Sequence, residues 1–208
     1  MRTPLLLALL LTSAFASAAD QARALPPFSS VSSEGAVNLV VQVGKAQSVV
    51  IRGDNKYLAK IDTRVVNGEL VISVPRESKN RMNLSSEHKV FISVPTLKAF
   101  HVEGAGSSEL NNIRGDAIDI SFQGAGRLVA NGEVKYLKLM AQGVGDVDTK
   151  ALLAQRAEVN FEGIGKVKVH ASEHLDAVVQ GMGSLNYYGN PKTVNKSVEG
   201  IGSVSSGD

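Results

Sequence analysis

Cysteine and tryptophan are both absent from this chain of 208 residues. Without cysteine the protein has no disulfide framework, no zinc–thiolate site, no thiol nucleophile and no lipid-modified N-terminal cysteine. An excess of one charge is also lacking, and a net charge of +2 excludes a nucleic-acid binder that works by charge. No apolar run reaches the roughly 20 residues that an integral membrane span requires. What is present, 43 % apolar and 20 % charged residues, is typical of a folded globular protein.

The first 18 residues have the features of a signal peptide. Arg2 supplies the positive charge, residues 5–11 form a short apolar run, and the Ala16-Ser17-Ala18 segment fits the small-x-small cleavage rule. We therefore expect cleavage after Ala18 and export of residues 19–208, an uncleaved membrane anchor being the alternative. The periplasm is the expected location, with the cell surface or secretion as alternatives.

Residues 28–95 alternate apolar and polar positions in the manner of irregular β-strands. Asn67-Gly68 separates two apolar stretches, 61–66 and 70–74, and is a strong signal for a β-hairpin. Residues 75–88 are polar and predict a loop. Further strand positions with a common face are Val37, Leu39, Val41 and Val43, then Val90, Ile92 and Val94 before Pro95.

Residues 96–208 contain an internal repeat of 18 to 20 residues. Six copies carry a Gly-x-Gly motif, with first glycines Gly104, Gly124, Gly143, Gly163, Gly181 and Gly200. Each copy is too short to bury its own apolar face, so the copies must stack. This pattern predicts an all-β, single-domain parallel β-solenoid of about six Gly-x-Gly coils, about 4.8 Å apart. A meander sandwich is the alternative, and it explains the alternation but not the fixed glycine column.

Three columns of residues are expected to face the interior of this stack. The first is Val102, Phe122, Ala141, Phe161, Val179 and Val198. The second is Ala105, Ala125, Val144, Ile164, Met182 and Ile201. The third is Ser108, Leu128, Val147, Val167, Leu185 and Val204. In the last coil Lys196 and Ser206 take positions that are mostly apolar in earlier coils, which suits an end that meets water.

One polar column is the candidate ligand-facing surface. It comprises Glu103, Gln123, Gln142, Glu162, Gln180 and Glu199, which should face outward just before the bend. Two interpretations are open: a groove that binds glycan hydroxyls, and a side-chain ladder that fixes the coils. No two glutamates are adjacent among the six, so a glutamine can donate to each neighbouring carboxylate, which favours the ladder.

Short motifs elsewhere are assigned to turns and surface pairs. His170, Glu173 and His174 match a zinc-protease signature, but that chemistry requires a helix and we expect a polar turn here. Arg-Gly-Asp occurs at 52–54 and 114–116, where a receptor motif and ordinary turn chemistry are the two interpretations, and we favour the turn. A surface charge ladder is predicted among Arg127, Asp146, Asp148, Lys166 and Lys168.

With the repeat in view, the chain resembles the bacterial family described as putative auto-transporter adhesin, head GIN domain. The resemblance runs from the strand 37–43, through Asn67-Gly68-Glu69-Leu70 and Val94-Pro95-Thr96-Leu97, into the Gly-x-Gly repeats. It implies a β-helix-like solenoid in an exported protein, over residues 19–208. The family brings no catalytic residue, cofactor or metal site to carry over.

The sequence therefore predicts an exported, non-enzymatic binding or structural module of the cell envelope, adhesin-like and directed at glycans. The alternative is a polysaccharide-cleaving enzyme on a β-helix scaffold, which would need two carboxylates at a defined separation. No cofactor is expected. The expected partners are envelope or host glycans, or an envelope protein, together with a small homo-oligomer formed through the C-terminal edge.

Overall fold

The structure is a computed structural model that describes residues 19–74 and 87–207. The predicted signal peptide and most of the predicted loop at 75–88 lie outside the described residues. In chain order the elements are β1 Ala19–Ala22, β2 Ser30–Ala36, β3 Leu39–Val43, β4 Ser48–Gly53, α1 Asn55–Leu58, β5 Asp62–Val66, β6 Glu69–Ser73, β7 Lys89–Val94, β8 Ala99–Tyr188, β9 Thr193–Gly200 and β10 Ser203–Ser206. The protein is all-β apart from the single turn of α1, as the sequence predicts.

The sheet is mixed. Parallel pairing is the expectation for the Gly-x-Gly repeats and antiparallel pairing for the hairpin, and two further antiparallel pairs lie among the irregular strands before Pro95. Four strands pair parallel with β8: β2, β3, β9 and β10. On its other side β2 pairs parallel with β6, and β3 pairs parallel with β7. Three pairs are antiparallel: β1 with β4, β4 with β7, and β5 with β6. The last of these is the predicted hairpin, because Asn67 and Gly68 both take the positive φ that a two-residue turn requires.

The long strand β8 is built from stacked repeats. The paired glycines of one repeat lie directly against those of the repeat before it: a Cβ added to Gly124 would lie 1.9 Å from the carbonyl oxygen of Gly104. The same approach recurs at Gly163, whose added Cβ would lie 2.0 Å from the oxygen of Gly143. Beyond β8, Leu175 pairs with Val194, an offset of one repeat. Only a residue without a side chain permits backbones to approach this way.

The core confirms two of the three predicted inward columns. The first column is buried from Val102 to Val179, and the third is buried throughout its length. Val198, the last member of the first column, is 40 % exposed because it lies in the terminal repeat. Lys196 is exposed and its Nζ donates to the carbonyl oxygen of Val204 over 3.3 Å, so it caps that end through the backbone.

The second predicted inward column was wrong. Val144, Ile164, Met182 and Ile201 are 54, 47, 52 and 81 % exposed, and Ala125 is exposed as well. The alternation of the strand explains the error. Counting by two from a buried residue such as Phe161 places the glycines at the interior positions and Ile164 outside, beside Glu162. The predicted column skipped one position of that alternation.

Candidate functional site

The polar column lies on the outer surface, as predicted, and its C-terminal part is bonded internally. Gln142 Nε2 donates to Glu162 Oε2 over 2.9 Å, and Gln180 Nε2 donates to Glu199 Oε2 over 3.1 Å. Both bonds run between neighbouring repeats, from an amide to a carboxylate. This half of the column therefore has the contacts expected of a structural ladder.

The N-terminal part of the column differs, because it continues into a copy of the repeat that sequence reasoning missed. Strand β2 pairs with the start of β8 so that Glu34 aligns with Glu103 and Gly35 with Gly104. The Ser33-Glu34-Gly35-Ala36 segment is this additional copy, and it escapes a search for Gly-x-Gly because Val37 replaces the second glycine. Two glutamates are therefore adjacent here, contrary to the regularity seen among the six predicted positions.

The two adjacent carboxylates have no internal partner in the described part of the chain. Neither Glu34 nor Glu103 makes a side-chain hydrogen bond or ion pair there, and both are exposed. Gln123, the next member, only approaches Ser121 Oγ at 3.5 Å. The contrast with the bonded pairs at Gln142 and Gln180 divides the column into a satisfied half and an unsatisfied half, whose two exposed carboxylates have water and not the described part of the protein as their partner.

An open groove of about 420 Å³ lies over this unsatisfied half. Its wall contains the three column members Glu34, Glu103 and Gln123, together with His101, Asp119, Lys138 and Met140. His101 lies between two carboxylates, with Nδ1 3.6 Å from Glu69 and Nε2 4.0 Å from Asp119. The groove thus presents acceptors, a cationic donor and one thioether within a single concave surface.

The zinc-signature residues lie in strand β8 rather than in the expected turn. Glu173 Oε2 is 3.6 Å from Arg156 Nε, and His174 Nε2 is 2.9 Å from Asp176 Oδ2. A hydrogen bond from Asn195, with a smaller contribution from His174, lowers the pKa of the Asp176 carboxyl. Across residues 19–74 and 87–207 no group of three or more His, Cys, Asp or Glu side chains is arranged to hold a metal ion.

The two Arg-Gly-Asp segments are held by contacts within the fold. Arg52 makes a paired hydrogen bond to Asp20, at 2.7 and 2.8 Å, and Asp54 caps α1 by accepting from the Tyr57 backbone. That backbone hydrogen bond lowers the pKa of Asp54. In the second segment Lys135 contacts Asp116 at 2.6 Å and lowers the pKa of its carboxyl. The first segment ends a strand and begins a helix, whereas the second lies within β8.

The predicted charge ladder is present in part. Lys168 Nζ donates to Asp148 Oδ2 over 2.9 Å, and Arg127 Nε lies 3.9 Å from Asp146 Oδ2. These pairs cross from one repeat to the next on an exposed face. Pairs of this kind contribute about 0–1 kcal/mol each.

The stacked repeats and the outward polar column define an all-β repeat module. The chain belongs to the family described as putative auto-transporter adhesin, head GIN domain, whose model matches residues 27–191. No functionally curated protein shows a significant match. The described helical residues form no segment long and apolar enough to cross a membrane.

Solved structures resemble the chain at low sequence identity, and the first of them shares its fold. A putative adhesin from Bacteroides fragilis is 20 % identical, with a TM-score of 0.73, and the match covers 91 % of this chain and 97 % of that one. A putative lipid binding protein from Parabacteroides distasonis is 17 % identical, with a TM-score of 0.47, over 92 % of this chain and 97 % of that one. A putative cell adhesion protein from Clostridium sporogenes is 15 % identical, with a TM-score of 0.45, over 91 % and 98 %.

Proposed function

We propose that this protein is an exported, non-enzymatic binding module of the adhesin type, and that the groove beside Glu34 and Glu103 binds a glycan of the cell envelope or of a host. The family and its structural relatives support the adhesin class. The unsatisfied carboxylates in the groove carry the assignment of the site.

The scaffold for this function is, in our proposal, a parallel β-solenoid formed by the Gly-x-Gly repeats. Two observations support it: the stacked glycines of successive repeats and the parallel pairing of β9 and β10 with β8 at an offset of one repeat. The antiparallel pairs all involve strands before Pro95, so they belong to an N-terminal cover and not to the coils.

The chemistry of the groove suits sugar hydroxyls. A carboxylate accepts hydrogen bonds from neighbouring hydroxyl groups, and hydrogen bonds to charged groups contribute about 1.5–3 kcal/mol. Lys138 can donate to ring or carboxylate oxygens, and Met140 offers apolar contact to the C–H face of a sugar ring. The open shape of the groove allows an extended polymer to pass through it.

The adjacency of Glu34 and Glu103 is the observation that favours binding over a purely structural role. Two like charges on neighbouring strands repel each other, although water and salt screen much of the interaction because both side chains are exposed. A structural ladder avoids this arrangement, as the bonded Gln–Glu pairs farther along the column do. Hydrogen-bond donors from a bound ligand would relieve the repulsion between the two carboxylates. A polyhydroxylated ligand would therefore stabilise the groove more than it would stabilise the bonded half of the column.

The experiment is a binding screen of the mature chain against envelope and host glycans, scored for retention and for cleavage products. We expect Glu103→Ala to weaken retention at least tenfold. The matched control is Glu162→Ala, which removes a carboxylate from the bonded half of the same column. Equal losses in both variants, or no loss in either, would contradict the assignment of the groove.

Cleavage products in the same screen would identify a polysaccharide-cleaving enzyme instead. Glu34, Glu103 and Asp119 are the carboxylates that the groove offers for such chemistry. Products that appear with the wild type and disappear with Glu103→Gln would overturn the non-enzymatic assignment while retaining the groove as the site.

We also propose that the C-terminal edge takes part in association, as the sequence predicts. Strands β9 and β10 pair only with β8 within the described residues, so each has a side open to another strand. The contact of Lys196 with the Val204 carbonyl occupies one acceptor there and limits extended stacking. Sedimentation of a chain truncated before residue 193 would show less association than the full mature chain if this edge pairs.

A further inference from the structure

A column of apolar side chains stands on the outer surface between the paired glycines. We call it the apolar stripe, and its members are Ala105, Ala125, Val144, Ile164, Met182 and Ile201. Ala36, which aligns with Ala105, continues it by one small residue that lies beyond these six and beyond the contact proposed for them. Its four large side chains are between 47 and 81 % exposed. The stacking of the flanking glycines aligns the members, so at about 4.8 Å per repeat the stripe extends for about 24 Å. A contiguous apolar surface of this kind marks an interaction site.

The charges beside the stripe favour a protein partner over a bilayer. On one side runs the polar column with its glutamates. On the other side run Ser107, Arg127, Asp146, Lys166, Ser184 and Ser203. A surface that inserts into anionic lipid is flanked by lysine and arginine, whereas this stripe has acidic and mixed flanks.

The sizes of the stripe residues change steadily along the stack. The N-terminal members are alanines, the middle members are Val144 and Ile164, and the C-terminal members are Met182 and Ile201. A second copy of the chain placed antiparallel would set each large residue against a small one. Ile201 then meets Ala105, Met182 meets Ala125, and Ile164 meets Val144, so the two faces stay a constant distance apart.

We propose that the apolar stripe is the interface of a two-fold symmetric dimer, with the axis passing between Val144 and Ile164 at right angles to the stack. This arrangement is isologous, so each contact occurs twice. A parallel arrangement would instead place Ile201 against Ile201 and Ala105 against Ala105. That would leave a gap at the N-terminal end.

The flanking columns are complementary in the same antiparallel arrangement. Asp146 of one copy faces Lys166 of the other, and Gln142 faces Glu162, each pair occurring twice. Glu103 faces Glu199 at the two ends, a like-charge contact at the rim that opposes association. Because Glu103 also lines the groove, the dimer and a glycan would compete for this end of the column. The three columns supply 18 residues from each copy, fewer than the 20–30 of a standard interface, so a weak dimer is expected.

Sedimentation of the mature chain tests the interface. We expect the wild type to associate at about 100 µM, and Ile164→Lys to raise the dissociation constant of the contact through the stripe at least tenfold. The matched control is Leu153→Lys, since Leu153 is 48 % exposed against 47 % for Ile164 but lies outside the stripe. Circular dichroism and thermal melting would verify that both variants remain folded. A wild-type monomer, or equal behaviour of the two variants, would overturn the proposal.

Disulfide cross-linking tests the orientation, because the natural chain has no cysteine. A mixture of Ala105→Cys and Ile201→Cys chains should form a cross-linked heterodimer, since the two sites face each other. Ala105→Cys alone should not cross-link, because its two copies lie about 24 Å apart at 4.8 Å per repeat, far beyond the reach of a disulfide. Cross-linking of Ala105→Cys alone would indicate a parallel dimer, and of Ile201→Cys alone an edge-paired dimer. Either result would overturn the proposal.

Discussion

Replacement of Gly163 by alanine is the sharpest test of the stacked glycines. The backbone at Gly163 has a φ of +143°, and an added Cβ would lie 2.0 Å from the carbonyl oxygen of Gly143. That neighbour is backbone, so it cannot rotate away as a side chain could. An ordinary contact between a carbon and an oxygen is about 3.4 Å, so the two repeats must move apart by more than 1 Å to accommodate the new Cβ. Loss of about three backbone hydrogen bonds costs about 3 kcal/mol.

The unfavourable φ of the new alanine adds about 1–3 kcal/mol. The expected total is a decrease of about 4–6 kcal/mol in the free energy of unfolding, which for a domain of this size lowers the melting temperature by about 10–20 °C. Chemical denaturation and calorimetry of the mature chain would measure it.

Gly68→Ala is the matched control, because Gly68 also has a positive φ, +78°, but an added Cβ there would meet nothing within 4 Å. We expect Gly68→Ala to lower the free energy of unfolding by only about 1–2 kcal/mol, the cost of an alanine in the left-handed backbone conformation. If Gly163→Ala were no more destabilised than Gly68→Ala, the close approach of successive repeats would be refuted.

Three further predictions concern the core, the polar column and pH. Phe161→Asp should abolish cooperative melting, because it places an unpaired charge in a buried column, whereas Phe161→Leu should melt cooperatively. Gln123→Glu combined with Gln142→Glu should destabilise by more than the sum of the single changes, because only the double variant makes those two neighbours both carboxylates; additive denaturation energies would contradict this. Asp176 contributes stability above its unfolded pKa of about 3.9, and that contribution is lost as pH falls through its lower folded pKa. Asp176→Asn should therefore lose less stability than the wild type in melts between about pH 5 and about pH 2, and equal acid sensitivity would contradict it.

The sequence predicts the all-β fold because alternation and the glycine repeat are local signals. The Asn67-Gly68 hairpin, the buried first column and the buried third column follow directly from it. The second column failed because the paired glycines suggested a change of face, whereas the strand simply continues to alternate through them. Its apolar residues are therefore outside, where composition alone would not place Ile164 or Met182.

The groove could be predicted only in part. Glu103 and Gln123 belong to the predicted polar column, but the adjacent Glu34 comes from a copy 69 residues earlier, outside the regular spacing. The sequence does contain a signal for this earlier copy, because residues 34–36 and residues 103–105 are both Glu-Gly-Ala. The division of the column into bonded and unbonded halves depends on side-chain geometry, which no local pattern encodes.

The central proposal, that the repeats stack as parallel coils with the polar column along one face, is tested most directly by distances between equivalent positions. Pairs of spin labels can be attached to cysteines that replace Glu103 and one other column member, in a chain with no cysteine of its own. The account predicts that the separation rises by about 4.8 Å per repeat, reaching about 19 Å to Gln180 and about 24 Å to Glu199. Labelled chains diluted with unlabelled protein would report distances within one molecule. A separation that fails to increase steadily with repeat number, as in a meander sandwich, would contradict the account.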